Sequence, residues 1–149
     1  MQTLPLPIRL LNYLKKYLTD LEFGSLNKTN LLSISKYYVI HDSGKILNEN
    51  VARGQIIGST FHGIEVSLYA SLEYDENGTP IYQTFAEYCV MSAMESPNIE
   101  IEHIQSSDEY SAGLGEGGTM AAPPAILNAI RSIIGKSVQR IPLYQIFVK

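Results

Sequence analysis

The sequence predicts an α+β fold in which helices pack on a largely antiparallel sheet. Three observations predict it. The run LLSISKYYVIH, from Leu31 to His41, is rich in β-branched and aromatic residues and reads as a strand. Asn77-Gly78, between two extended stretches, is a strong short hairpin signal. Two longer segments, around residues 51–69 and 123–134, carry the spacing and punctuation of helices.

The bounds on the class are simple. The chain has 149 residues, 45% hydrophobic and 17% charged, with a formal net charge of −4. That length supports one domain with a real core. The mildly acidic balance, without a basic cluster, gives no support to nucleic-acid binding. Cys89 is the only cysteine, so an internal disulfide and a thiolate metal cage are both ruled out. His41, His62 and His103 lie far apart and make no recognised metal spacing. No apolar run reaches the length of a membrane span, and MQTLPLPIRL is a poor signal peptide. A cytoplasmic protein is expected.

In chain order, Leu10, Leu11, Leu14, Tyr17, Leu18 and Leu21 repeat at helical spacing opposite Lys15 and Lys16. This predicts an amphipathic helix after Pro7, although a strand could claim Leu18 to Phe23. A turn cluster follows at Gly24 to Lys28. After the strand to His41, Asp42-Ser43-Gly44-Lys45 turns the chain. Asn48 or Asn50 caps a helix predicted over about Val51 to Tyr69. Gly54, Gly58 and Gly63 sit inside it, each costing roughly 1 kcal/mol relative to alanine. Gly54 and Gly58 share a face, so backbone there can touch a helix, a sheet or a ligand. Gln55 lies beside that face with an amide able to donate and accept; the plainer reading leaves Gln55 in solvent.

Ser71 to Asp75 and Thr79 to Phe85 flank the hairpin turn. Ala86 to Met94 reads as helix or loop. Asn98 to Gln105 alternates imperfectly and predicts a strand, with His103 a partly buried member. Pro123 and Pro124 suit the first turn of the next helix, whose apolar residues include Ile126, Leu127 and Ile130, and Gly135 supplies its stop. Val138 to Val148 is expected to run extended along the surface.

The candidate site is the loop before that helix. Gly113, Gly115, Gly117 and Gly118 surround one carboxylate, Glu116. A carboxylate near a helix N-terminus is favoured in its ionised form and can act as a general base. It can equally do no more than complement the dipole of a surface helix. Gly113, Gly115 and Gly118 also fit G-x-G-x-x-G, but that fingerprint needs a buried strand before it and an acid about 20 residues after it. The preceding Ser106 to Ser111 is polar, and Lys136 and Arg140 follow, so a dinucleotide site is not indicated.

Four ordered blocks carry a resemblance: YYVIHDSGKILNENVARGQIIGSTFHGI, LEYDENGTPIYQTFAEY, IEIEHIQ and GLGEGGTMAAPPAILNAI. Together they resemble the C-terminal part of the molybdopterin-binding large subunit of the molybdenum hydroxylases. That group includes xanthine dehydrogenases, aldehyde oxidoreductases and aerobic carbon monoxide dehydrogenases. The resemblance covers residues 21–149 as a molybdopterin-binding C-terminal domain and leaves 1–20 as an N-terminal amphipathic extension. It implies that Glu116 is the active-site base beside the molybdenum, that Leu114 and Gly115 line the cofactor, and that Gln55 hydrogen-bonds the pterin. It provides no metal ligand from this chain. It further implies molybdopterin shared with the remaining large-subunit fragment, with iron–sulfur clusters and FAD on an iron–sulfur subunit and a flavin subunit. No membrane and no nucleic acid enter, and a homo-oligomer is expected when the chain is isolated. Two departures stand out: His62-Gly63 replaces a frequent Gln-Gly, and Ser111-Ala112 replaces a frequent lysine before the loop. Gly117-Gly118 leans towards aldehyde or carbon monoxide as substrate. Two functional readings follow: a separately encoded piece carrying the catalytic base, or a non-catalytic scaffold that retains the fold.

Overall fold

The computed structural model describes residues 34, 36–88, 90–105 and 109–143. The helix expected over 10–21, the turn at 24–28 and the start of the first strand lie outside them. The described elements are β1 (Lys36–His41), α1 (Glu49–Leu68), the short α2 (Phe85–Tyr88), β2 (Asn98–His103) and α3 (Gly117–Ile134).

The expectation of an antiparallel sheet is corrected. β1 and β2 pair in parallel, in the register Tyr37↔Ile99, Val39↔Ile101 and His41↔His103. The connection explains this: the chain leaves β1, passes through α1 and returns to β2, and such a long crossover permits parallel pairing where a tight turn does not. The expected hairpin is reduced to its turn. Asp75 Oδ1 accepts from Asn77 N and Thr79 N at 2.9 and 2.8 Å, and the flanks share one bridge, Tyr74↔Pro80. Pro80 has no N–H to extend a ladder.

The core lies where α1 and α3 meet the sheet. Ile56, Ile64, Ile126 and Ile130 are all but fully buried between the helices. Tyr37, Leu68, Met91 and Ile99 continue the cluster of Ile64, Ile126 and Ile130. Asn48 is the N-cap of α1, its side chain accepting from Val51 N at 3.1 Å. Gly135 ends α3 in the left-handed region, φ 69°, as the sequence predicts. The prolines do not open that helix, however: they sit more than a turn inside it. Pro123 cannot donate to the carbonyl of Thr119, four residues back. Gly63 of α1 packs against that same carbonyl, and a Cβ on Gly63 would lie 2.7 Å from its oxygen. Beyond α3, residues 138–143 form no strand, and the rest of the extended segment expected there lies outside the described residues.

Of the three glycines within α1, Gly63 alone is closely packed against a partner element. A Cβ on Gly54 or Gly58 would meet nothing within 4 Å. The tight approach falls at Gly63 and at Gly118, where a Cβ would overlap Ser59 Oγ and the Thr60 backbone nitrogen. Glu65 ties α1 to the segment before β2. Its Oε1 accepts from Met91 N at 3.4 Å, and its Oε2 lies 3.4 Å from His62 Nδ1.

Candidate active site

The loop carrying Glu116 is fixed by the turn that follows β1. Ala112 N donates to Ser43 O at 2.8 Å, and Lys45 N donates to Tyr110 O at 2.9 Å. Ser111 Oγ donates to Lys45 O. Gly44, φ 57°, permits this contact, since a Cβ there would lie 2.5 Å from Tyr110 O. The DSGK turn, legible in the sequence only as a change of direction, is therefore the seat of the loop.

Glu116 occupies the N-cap position of α3. Its carbonyl accepts from Met120 N at 2.9 Å, while its carboxylate makes no capping hydrogen bond and is exposed. An N-cap carboxylate ordinarily accepts from the helix N–H groups. Here it is held at the helix end by its backbone and left available. Leu114 is half-buried and Gly115 exposed beside it.

Gln55 belongs to the same end of the molecule. Ser59 and Thr60 meet Gly118, and Gly63 meets Thr119 and Ala122, so α1 and α3 run side by side in the same sense. Thr119 Oγ1 fastens the pair by donating to Ser59 O at 2.8 Å. Gln55, one turn before Ser59, thus lies towards the end at which the Leu114–Glu116 loop enters α3. Its amide is exposed, and the open faces of Gly54 and Gly58 flank it. The first turn of α3 meets α1 at Ser59 and Thr60, within α1 and well past its start at Glu49, so the helix end that favours negative charge beside the loop is that of α3.

Sequence reasoning missed three contributors. His41 ends β1 and donates or accepts at Nδ1 with the buried Ser43 Oγ, 2.8 Å away. Its ring lies against Gly117, and burial, then the neighbouring His103, lower its pKa below the ordinary 6.5. Thr60 is fully buried, with its Oγ1 unpartnered among the described residues. Neither the strand run nor the helix spacing carried a sign of these. The third, Ser43, was visible only as a turn residue.

A molybdopterin cofactor would fit this end on chemical grounds. An exposed amide, side-chain-free helix backbone and uncapped N–H groups can meet a large polar, anionic ligand. Among the described residues no group of three or more His, Cys, Asp or Glu stands together as a metal cage.

The comparisons with known proteins point the same way. Residues 27–97 match the family model of the molybdopterin cofactor-binding domain. The chain is 34% identical over 110 residues to the nicotine 6-hydroxylase large subunit of Paenarthrobacter nicotinovorans, covering 71% of this chain and 14% of that protein. It is 37% identical over 117 residues to the 6-hydroxypseudooxynicotine dehydrogenase complex subunit gamma of the same organism, covering 74% and 15%. Among solved structures, quinoline 2-oxidoreductase from Pseudomonas putida 86 matches with a TM-score of 0.70 at 22% identity, over 78% of this chain and 16% of that one. At that identity the likeness establishes the fold.

The family match identifies a molybdopterin cofactor-binding domain over residues 27–97. The chain belongs to the family of molybdenum hydroxylase large subunits, and it spans 14% and 15% of the length of the two relatives quoted.

Proposed function

We propose that the chain is the C-terminal, cofactor-binding piece of a molybdenum hydroxylase large subunit. On this reading it supplies the general base for oxidative hydroxylation of a small substrate such as an aldehyde, or for oxidation of carbon monoxide. The observation that carries the reading is Glu116: an exposed, uncapped carboxylate fixed by its backbone at the start of α3.

The bound cofactor would supply the two-electron acceptor. This chain's residues would do the rest of what is proposed for it. Gln55 would hydrogen-bond the pterin, with Gly54 and Gly58 leaving room for the approach. Leu114 and Gly115 would line the space beside the base. Glu116 would take up a proton at its carboxylate oxygens as the nucleophile forms. The remaining large-subunit fragment would complete the grip, with iron–sulfur and flavin subunits carrying electrons away.

The test is co-purification. The tagged chain, expressed with a large-subunit fragment of a relative that ends where the similarity begins, is expected to retain that fragment together with molybdenum. Retention without molybdenum would favour the scaffold reading, and no retention would contradict the proposal.

A further inference from the structure

Two contacts hold the Glu116 loop. One is the set of backbone hydrogen bonds between residues 43–45 and 110–112. The other, on the far side of Glu116, is the His41 ring. A Cβ on Gly117 would lie 3.1 Å from His41 Nε2 and 3.6 Å from its Cδ2, so the ring fills the space that a side chain at 117 would need. The ring is itself anchored, since Nδ1 pairs with the hydroxyl of Ser43, which is only 4% exposed. Ser43 also receives the Ala112 N–H on its carbonyl. One short turn thus grips both ends of the segment that presents Glu116.

We infer that His41 is a positioning residue: its neutral ring seats the first turn of α3, and protonation of the ring loosens that turn and the Glu116 loop. Gly117 is the first residue of α3, so Nε2 sits where the helix N–H groups and their dipole concentrate positive charge. An imidazolium there is repelled by the helix end and, across the sheet register, by any charge on His103. Asp42 acts in the opposite direction and favours the charged ring. From α3, the Glu116 carboxylate at the N-cap adjoins the ring's contact at Gly117, while the helix's other charged side chain, Arg131, stands in its last turn. Burial and His103 act against the charged form and hold the ring's pKa down. Above that pKa the seat is intact; as pH falls through it, the seat weakens. For the proposed reaction, the base would then lose its fixed position in acid for a reason separate from its own protonation.

The consequence for catalysis rests on the proposed role of Glu116, but the test does not. Backbone amide and histidine ring resonances of the full chain are followed by NMR as pH is lowered from about 8 to about 5, the range in which histidine titrates. The titration is run in the Glu116→Gln background, which removes that carboxylate, and again with His103→Gln added. The amides of Gly117 and Gly118 are expected to shift with the midpoint of the His41 ring, below 6.5, in both backgrounds. Replacing His41 by Gln should abolish that shift. Amides that stay constant while His41 titrates, or that shift equally in His41→Gln, would overturn the inference. Should His41→Gln not fold, the first two titrations decide alone. Failure of Glu116 as a base would leave these shifts untouched.

Discussion

At the residue scale, the glycines separate two kinds of constraint that composition cannot. Gly118 is fixed by steric contact, with Ser59 Oγ, Thr60 N and Thr60 Oγ1 within 2.6 Å of a Cβ. Backbone cannot yield as a flexible side chain does. Gly118→Ala is expected to destabilise the chain by about 1–3 kcal/mol, read as a lower urea midpoint at unchanged m-value. Gly54 has open space around it, so Gly54→Ala should gain up to about 1 kcal/mol from helix propensity alone. The same denaturation measurement separates them, and equal effects would contradict this assignment. Helical spacing marked Gly54, Gly58 and Gly63 alike. Only the partner helix distinguishes the one that is packed from the two that are open.

At the scale of elements, the legible parts were those with local causes. Asn48 and Gly135 delimit their helices by capping chemistry that acts within a few residues. The strand over 36–41, the long helix and the αL stop were therefore readable. The sheet's sense was not, because the partner of β1 is chosen by a crossover beyond the Asn77-Gly78 turn. The interior position of Pro123 and Pro124 was hidden for the same reason: α3 begins at the glycines, stabilised by its contact with α1. His41 gives this level a pH dependence. Its neutral form is favoured in the folded chain, so stability is full above about pH 6.5 and declines as pH falls below the ordinary histidine range. Urea midpoints at about pH 8 and about pH 5.5 should fall in that order, and the difference should shrink in His41→Gln. On the exposed face of α1, Gly58→Leu should leave the isolated chain folded yet reduce molybdenum loading of the assembly, measured by metal analysis.

At the scale of the whole molecule, the chain has a core of its own, and on the proposed reading its site is shared with the rest of a large subunit. Glu116 and Gln55 were both named from sequence, as parts of blocks too specific to arise from spacing alone, and the fold brings them towards one end of a parallel helix pair. The elements proposed to face them across a cofactor belong to the parts of the relatives that these residues do not match. Large apolar side chains remain exposed among the described residues, Phe85 at 84% and Met94 at 93% among them, as on surfaces that meet another body. The isolated chain is accordingly expected to bind no molybdenum and to self-associate, checked by metal analysis and light scattering. The most direct test compares turnover of the reconstituted assembly carrying native Glu116 with that of E116Q, at matched molybdenum content. Glu116→Gln keeps the shape and removes proton acceptance, and it is expected to lower turnover about 100- to 10,000-fold. Turnover within a few-fold of the native assembly would contradict the account.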